Sequence, residues 1–226
     1  MRLIWIGWLC CVISCVISFG QPKPSAAPKT VMPQVELIQA GSFRKGEVRA
    51  MTSGGWLALA PIRDGFAWRR VRIVVSDGTK VEVVDGDQEA PLFLLRGLPL
   101  LGTKAVHTCF DRSEAGSLFV QNPILLTCEA QAYRVEVTSV GRAVASELRF
   151  SHAGRVQTLF RWPDGLIDQR AELIWAGDLD GDGRVDLLVD CGENNSVSRL
   201  SLYLSSWAGA GQLVGRAGSF VTRIEN

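Results

Sequence analysis

Histidine is scarce in this chain, which holds only His107 and His152 among its 226 residues. Neither histidine lies in an H-E-x-x-H motif and no G-x-S-x-G is present, so the common metalloprotease and serine-hydrolase motifs are absent. No C-x-x-C pair occurs, so the cysteine spacing typical of zinc ribbons and thioredoxin-like redox proteins is absent. The formal net charge is only +1, and without a basic excess nucleic acid is not an expected partner.

The first twenty residues have the pattern of a secretory signal. Met1-Arg2 precedes an apolar run over residues 3–19, which is too short and too close to the N-terminus to favour a transmembrane anchor. Small residues before Gln21 predict cleavage there, whereas residues 12–15 resemble a bacterial lipobox, which would place a lipid on Cys15. An uncleaved N-terminal anchor is the third alternative. We therefore expect residues 1–20 to be a signal peptide of a periplasmic or secreted protein, with a membrane-anchored lipoprotein as the alternative.

Three cysteines lie outside this leader, at positions 109, 128 and 191. Export permits disulfides, and three cysteines allow three single pairings. A Cys109–Cys128 bond is favoured, because it would close a loop of about twenty residues and contribute about 3 kcal/mol in the chain-entropy model. The alternative is that all three, including Cys191, are buried and reduced. His107 shares a strand face with Cys109, where packing beside a disulfide competes with a Cys–His nucleophilic pair.

The remainder of the chain has the pattern of a β protein. Residues 21–34 are rich in Pro, Ala and Lys, which predicts a flexible linker. From residue 35 onward, short β-branched and aromatic runs recur at spacings near ten residues with turn residues between them. These runs predict a mostly β fold, an antiparallel β-sandwich or barrel-like domain. Residues 35–165 would form a β-rich domain and residues 166–226 a C-terminal region packed on the same domain, with a short helix considered at 166–173.

The most specific pattern is the acidic stretch GDLDGDGRVDLLVD at residues 177–190. Four carboxylates occupy positions 1, 3, 5 and 9 of a loop, and two glycines between them allow sharp turns with positive φ. Oxygen ligands at this spacing suit Ca²⁺. The candidate ligands are Asp178, Asp180, Asp182, Asp186 and the backbone carbonyl of Arg184 at position 7.

The surroundings of the acidic stretch indicate a β-hairpin and not an EF-hand. An EF-hand needs a bidentate Glu at position 12 and a helix on each side. Val189 stands at position 12, and both flanks have the composition of strands. The sequence therefore predicts a calcium-binding C-terminal β-hairpin with Ca²⁺ as the cofactor, and a solvated acidic turn without a metal is the alternative.

The motif at residues 176–189, AGDLDGDGRVDLLV, resembles the calcium-binding signature of FG-GAP repeats, the blades of integrin α-chain propellers. The resemblance implies that Asp178, Asp180, Asp182 and Asp186 are ligands, together with the Arg184 carbonyl. A propeller needs at least four blades, and the motif occurs once in the chain. We therefore expect no propeller. With the strand-like residues that follow it, the segment also resembles small bacterial exported proteins that carry a single such loop, which implies export and a metal but no reaction.

The expected function is a structural or binding role in an exported protein, with Ca²⁺ stabilising the loop at residues 178–186. A catalytic role is less favoured. The alternatives are a hydrolase of cell-envelope polymers whose active site the sequence does not reveal, and an adhesion module. The expected partners are an envelope glycan or protein, in addition to the lipid that Cys15 would carry in a lipoprotein.

Overall fold

Antiparallel strands make up about 67% of the residues that the structure, a computed structural model, describes. The described residues are 35–48, 55–84, 90–98, 105–109, 116–118, 122–140, 145–163, 170–192 and 196–223. The predicted signal peptide at 1–20, Cys15 and the predicted linker at 21–34 lie outside these ranges. The mostly β fold that the sequence predicts is confirmed. Within the described ranges, no helix is long and apolar enough to cross a membrane.

The strands follow one another with short connections. In chain order they are β1 (Glu36–Ile38), β2 (Gly41–Ser42), β3 (Trp56–Ile62), β4 (Gly65–Val71), β5 (Ile73–Ser76), β6 (Lys80–Val83), β7 (Phe93–Arg96), β8 (Ala105–Thr108), β9 (Gly116–Leu118), β10 (Ile124–Cys128), β11 (Gln131–Val140), β12 (Ala145–His152), β13 (Arg155–Arg161), β14 (Arg170–Asp178), β15 (Asp186–Gly192), β16 (Val197–Leu204) and β17 (Gly215–Arg223). A single turn of 3₁₀ helix, Ser205–Trp207, follows β16.

The largest sheet curls until its two edges meet. Its strand order is β1-β7-β3-β4-β8-β14-β15-β16-β17, with β9 paired to β14. The outer strands β1 and β17 approach each other at Gly218, where a Cβ atom would lie 3.4 Å from the Val35 carbonyl oxygen. The sheet is thus a nearly closed antiparallel barrel, as the sequence predicts, and no propeller is present in the described part of the chain. Two smaller sheets accompany it, β10-β11-β12-β13 and β2-β6-β5.

Strands β14, β15 and β16 are buried on both faces, which explains their apolar composition. Alternate residues of a strand point to opposite faces. Leu188 belongs to the core cluster inside the barrel, whereas Leu187 and Val189 belong to a second cluster shared with the four-stranded sheet. All three are fully buried, and each such side chain contributes roughly 1.5–3 kcal/mol relative to an exposed one. A strand covered on both sides needs apolar residues at nearly every position.

Two hairpins close through turns whose central residues have positive φ. Strands β5 and β6 are joined through Asp77 (φ 52°) and Gly78 (φ 66°), and β12 and β13 through Ala153 (φ 48°) and Gly154 (φ 77°). Positive φ at both central residues is typical of the type I′ turns that match the twist of paired strands. The β10–β11 turn has the same property at Glu129 and Ala130, although neither residue is a glycine.

One local expectation is wrong. The short helix at 166–173 is not present from residue 170 onward, because Arg170–Asp178 is strand β14, which pairs with β15 on one side and with β8 and β9 on the other. Residues 166–169 lie outside the described ranges. Pro61 lies inside strand β3, which continues to Ile62, with Pro61 opposite Phe66.

Candidate metal centre

The acidic loop joins β14 to β15 and is anchored in both hydrophobic cores. The two strands are antiparallel, with Gly177 opposite Asp186, so strands flank the loop as the sequence predicts. Leu179 is 3% exposed and packs in the barrel core, while Val185 is 2% exposed and packs in the second core. The indole Nε1 of Trp68 donates a hydrogen bond to the Leu179 carbonyl at 3.1 Å. These contacts hold both arms of the loop at fixed positions.

Three of the predicted carboxylates converge. Asp178, Asp180 and Asp186 each offer a carboxylate oxygen, and the three oxygens lie within 4.8 Å of one another. Calcium binds oxygen at 2.3–2.6 Å, so ligands on opposite sides of one ion are about 5 Å apart. The spread of the three oxygens therefore fits a single Ca²⁺ ion bound between them.

Asp178 is held by the backbone of the loop that follows it. Its Oδ1 accepts hydrogen bonds from the N–H groups of Gly181 at 2.8 Å and Asp182 at 3.1 Å, and its Oδ2 accepts one from Gly183 at 3.0 Å. Gly181 and Gly183 have φ of 83° and 78°, which glycine adopts without steric cost. The positive φ expected at both glycines is thus confirmed, and it folds the chain around the Asp178 carboxylate.

Asp186 is fully buried, with 0% of its surface exposed. Its Oδ2 accepts the Leu179 N–H at 2.7 Å and its Oδ1 accepts the Ser205 N–H at 2.7 Å. Burial raises the pKa of Asp186 well above its ordinary value, the nearby charge of Asp180 raises it further, and the two backbone hydrogen bonds offset only part of this effect. Burial is also the main reason that the pKa of Asp180 is raised.

Asp182 and Arg184 are placed differently from the converging carboxylates. The Arg184 guanidinium binds the Asp182 carboxylate, with Nη2 at 2.7 Å from Oδ2. The Ser205 hydroxyl lies 2.8 Å from both Asp182 oxygens. Asp182 is not among the three residues whose oxygens converge. Its role as a ligand, and that of the Arg184 carbonyl, stay predictions.

Two residues of the site are not identified by sequence reasoning, Ser205 and Ser206 in the 3₁₀ turn after β16. The Ser206 hydroxyl donates to Asp180 Oδ2, and Ser205 contacts both Asp182 and Asp186. The β15–β16 register, with Leu187 opposite Tyr203, brings this turn beside the acidic loop. A polar pair after an apolar strand is a weak signal, since nothing in it indicates a contact about twenty residues away.

The described cysteines comprise one disulfide and one free thiol. Cys109 and Cys128 are joined in the disulfide that the sequence favours, and Cys191 is a buried free thiol. Burial raises the pKa of Cys191 far above its ordinary value, so this thiol stays protonated and unreactive. His107 lies opposite Asp178 in the β8–β14 ladder, which places the disulfide region next to the first residue of the acidic loop.

The chain matches no protein-family model, no curated protein and no solved structure.

Proposed function

We propose that this chain is an exported β protein in which one Ca²⁺ ion, held by the acidic loop, stabilises the β14–β15 hairpin in a structural or binding role. The observation that carries the proposal is the convergence of Asp178 and Asp180 on the fully buried Asp186. Carboxylates about 4 Å apart repel by about 1 kcal/mol per pair in water and about 4 kcal/mol at intermediate dielectric. A bound divalent cation turns this repulsion into attraction.

The donor set supports calcium over softer metals. Asp178, Asp180 and Asp186 would hold the ion through carboxylate oxygens, the ligands that hard cations prefer. Asp182 and the Arg184 carbonyl are further proposed ligands, on the strength of the FG-GAP resemblance. The Arg184 guanidinium contacts the Asp182 carboxylate at 2.7 Å. To become a ligand, Asp182 would have to release this guanidinium and bind the ion instead.

The position of the loop in the fold supports a stabilising role. The three carboxylates belong to β14, to the loop after it and to β15, and Asp186 also accepts a hydrogen bond from Ser205 beyond β16. An ion between them would tie together three neighbouring strands that are covered by both cores. A ligand that binds only the folded state adds RT ln(1 + [L]/Kd), which is about 2.7 kcal/mol at a hundredfold excess over Kd.

Thermal unfolding with and without calcium tests the proposal. The purified protein should contain calcium by elemental analysis, and EDTA should lower its Tm. Asp180→Ala should abolish the difference, while Asp64→Ala, on the exposed β3–β4 turn, should leave it intact. If the protein holds no calcium and its Tm is the same in EDTA and in excess calcium, the proposed ion does not exist.

We further propose that the protein is exported to the periplasm or beyond, on the basis of residues 1–20. The Cys109–Cys128 disulfide supports this location, because disulfides persist in oxidising compartments. The mass of the N-terminal peptide from the native host decides the route. A chain that begins at Gln21 indicates simple cleavage, a lipid on Cys15 indicates a lipoprotein, and an intact Met1 would contradict removal of the leader.

A further inference from the structure

A second group of metal-binding side chains lies where β8, β10 and β14 meet. A ring nitrogen of His107 and the sulfur atoms of Cys109 and Cys128 all lie within 4.8 Å of one another. The three residues come from β8, from the residue after it and from the last position of β10. Cys109 and Cys128 are separated by 19 residues in the sequence.

Each cysteine is held by the backbone of its own sheet, and Cys128 packs in the second core together with Ala176, the residue whose carbonyl accepts the Cys109 N–H. The Cys109 N–H donates to the Ala176 carbonyl at 3.0 Å, and the Thr108 hydroxyl donates to the same carbonyl at 3.2 Å. Cys128 pairs with Gln131 at the base of the tight β10–β11 hairpin. The two Cα atoms are 5.0 Å apart. Reduction would therefore release the sulfur atoms, while the ladders and the shared second core keep the two Cα atoms near each other.

The His107 ring lies where it can bind a cation together with the sulfur atoms of Cys109 and Cys128. Its side chain is exposed, and residues i and i+2 of a strand share a face, so the ring lies on the same side as Cys109. Within the described part of the chain, neither ring nitrogen has a hydrogen-bond partner, in contrast to His152, whose Nδ1 lies 3.0 Å from the Ala132 carbonyl. Among the described residues, no hydrogen bond thus has to break for the His107 ring to turn towards an ion.

We propose that His107 and the reduced thiols of Cys109 and Cys128 form a thiol-dependent site for one thiophilic cation, for which Zn²⁺ is the probe. Zinc binds sulfur at about 2.3 Å and imidazole nitrogen at about 2.0–2.1 Å in a tetrahedron. These bond lengths place ligands roughly 3.5–3.8 Å apart, within reach of atoms that already lie inside 4.8 Å. Three protein ligands leave the fourth position to water, as in open zinc sites.

The redox step is an ordinary thiol–disulfide exchange. A dithiol reductant supplies two electrons and two protons. The Cys109–Cys128 bond breaks, two thiols form, and the reductant becomes a disulfide. Binding of Zn²⁺ to the two sulfurs then forms two Zn–S bonds and releases two protons. In the oxidised protein neither sulfur is a thiolate, so the site binds the cation only after reduction.

This site and the acidic loop differ in the cations that they select, although Asp178 is opposite His107 in the β8–β14 ladder. Thiolate and imidazole favour zinc, whereas carboxylate oxygens favour calcium. Saturating the loop with Ca²⁺ therefore leaves the proposed site available and prevents zinc from binding to the loop carboxylates. Every measurement of zinc binding is made in the presence of calcium for this reason.

The test uses the full chain in detergent with Cys10, Cys11 and Cys15 replaced by Ser, so that thiols of the leader do not contribute. We expect the reduced protein to bind one Zn²⁺ and the oxidised protein none, and the reduced protein with Co²⁺ to show a thiolate-to-cobalt charge-transfer band. His107→Ala should weaken zinc binding by tenfold or more, since losing even an outer-shell partner of a ligand costs that much. Cys191→Ala, which removes the buried free thiol, is the matched control and should change nothing.

A second measurement needs no substitution at the site. Zinc should protect Cys109 and Cys128 of the reduced protein from alkylation, as read by peptide mass, and the result decides the question even if His107→Ala fails to fold. Equal zinc uptake by the oxidised and reduced proteins, equal affinity in a folded His107→Ala variant, or alkylation of both cysteines at the same rate with and without zinc would each overturn the proposal.

Discussion

Replacing Asp180 by Asn should have opposite effects on stability with and without calcium. Asn has nearly the same shape as Asp and keeps an oxygen that can accept the hydrogen bond from Ser206. The substitution therefore removes the negative charge at residue 180 with little other change. In a purely structural carboxylate, losing the charge affects the free energy of unfolding in the same direction under both conditions. In an ion site, it relieves repulsion when calcium is absent and removes a ligand when calcium is present.

The magnitudes follow from the positions of the carboxylates. Asp180 is half-buried and lies with Asp178 and Asp186 inside a 4.8 Å cluster. Solvent screening favours the lower Coulomb value, about 1 kcal/mol per pair, so the calcium-free variant should be about 1–2 kcal/mol more stable than wild type. In a hundredfold excess of calcium over Kd, wild type gains ~2.7 kcal/mol that the variant mostly lacks, so the variant should then be about 0.7–1.7 kcal/mol less stable than wild type. For a domain of this size, these changes correspond to about 2–8 °C upward and about 1–7 °C downward in Tm.

Thermal melts followed by far-UV circular dichroism measure both changes. Wild type, Asp180→Asn and Asp64→Asn are compared in EDTA and in excess calcium. Asp64 lies on the exposed β3–β4 turn, and its substitution should shift stability by less than about 0.5 kcal/mol in either buffer. A variant at Asp180 that is destabilised equally in both buffers would show that the carboxylate serves only as a hydrogen-bond acceptor, and the reasoning would be refuted.

Three other expectations concern single groups. Because burial raises the pKa of Asp186, its contribution to calcium-free stability is greatest in acid and is lost as pH rises through the raised pKa. Above the ordinary Asp pKa of about 3.9, Tm in EDTA should therefore fall more steeply with rising pH than in Asp186→Asn. The pKa of Glu147 is lowered overall. Burial raises this pKa, but the hydrogen bonds from Arg149, Arg161 and Thr158 lower it by a larger amount. Glu147→Gln should thus cost about 2 kcal/mol at pH 7 in urea unfolding, and the difference should shrink as pH falls through the lowered pKa. Gly177→Ala would place a Cβ 2.1 Å from a β8 carbonyl oxygen, so it should cost about 3 kcal/mol or more; an unchanged urea midpoint would contradict this.

Local patterns predict much of the fold because strand formation and turns depend on neighbouring residues. The alternation of Tyr133, Val135 and Val137 predicts one buried face, and all three are buried in the second core. Turn glycines predict the β5–β6 and β12–β13 hairpins. The β10–β11 turn escapes prediction, because Glu129 and Ala130 are not typical of positive φ and adopt it where the paired strands require it.

Secondary structure is harder to predict from the sequence where tertiary contacts override the local preference of a segment. The short helix expected at 166–173 does not form from Arg170 onward, because β14 pairs with β15 on one side and with β8 and β9 on the other. Pro61 lies inside β3, although a proline has no N–H group to donate to the ladder of a strand. A segment's neighbours across a sheet come from distant positions, so they leave no trace in its own sequence.

In the acidic loop, some features are determined by the local sequence and others by tertiary contacts. The sequence alone determines the spacing of its four carboxylates, the positive φ of its glycines and the flanking strands, since all of these are properties of about fourteen consecutive residues. Only the tertiary structure decides that Asp186 is fully buried, that Asp182 binds Arg184 instead of converging, and that Ser205 and Ser206 complete the site. These features depend on which strands pair across the sheet. The strand pairing is determined by the burial of both hydrophobic cores.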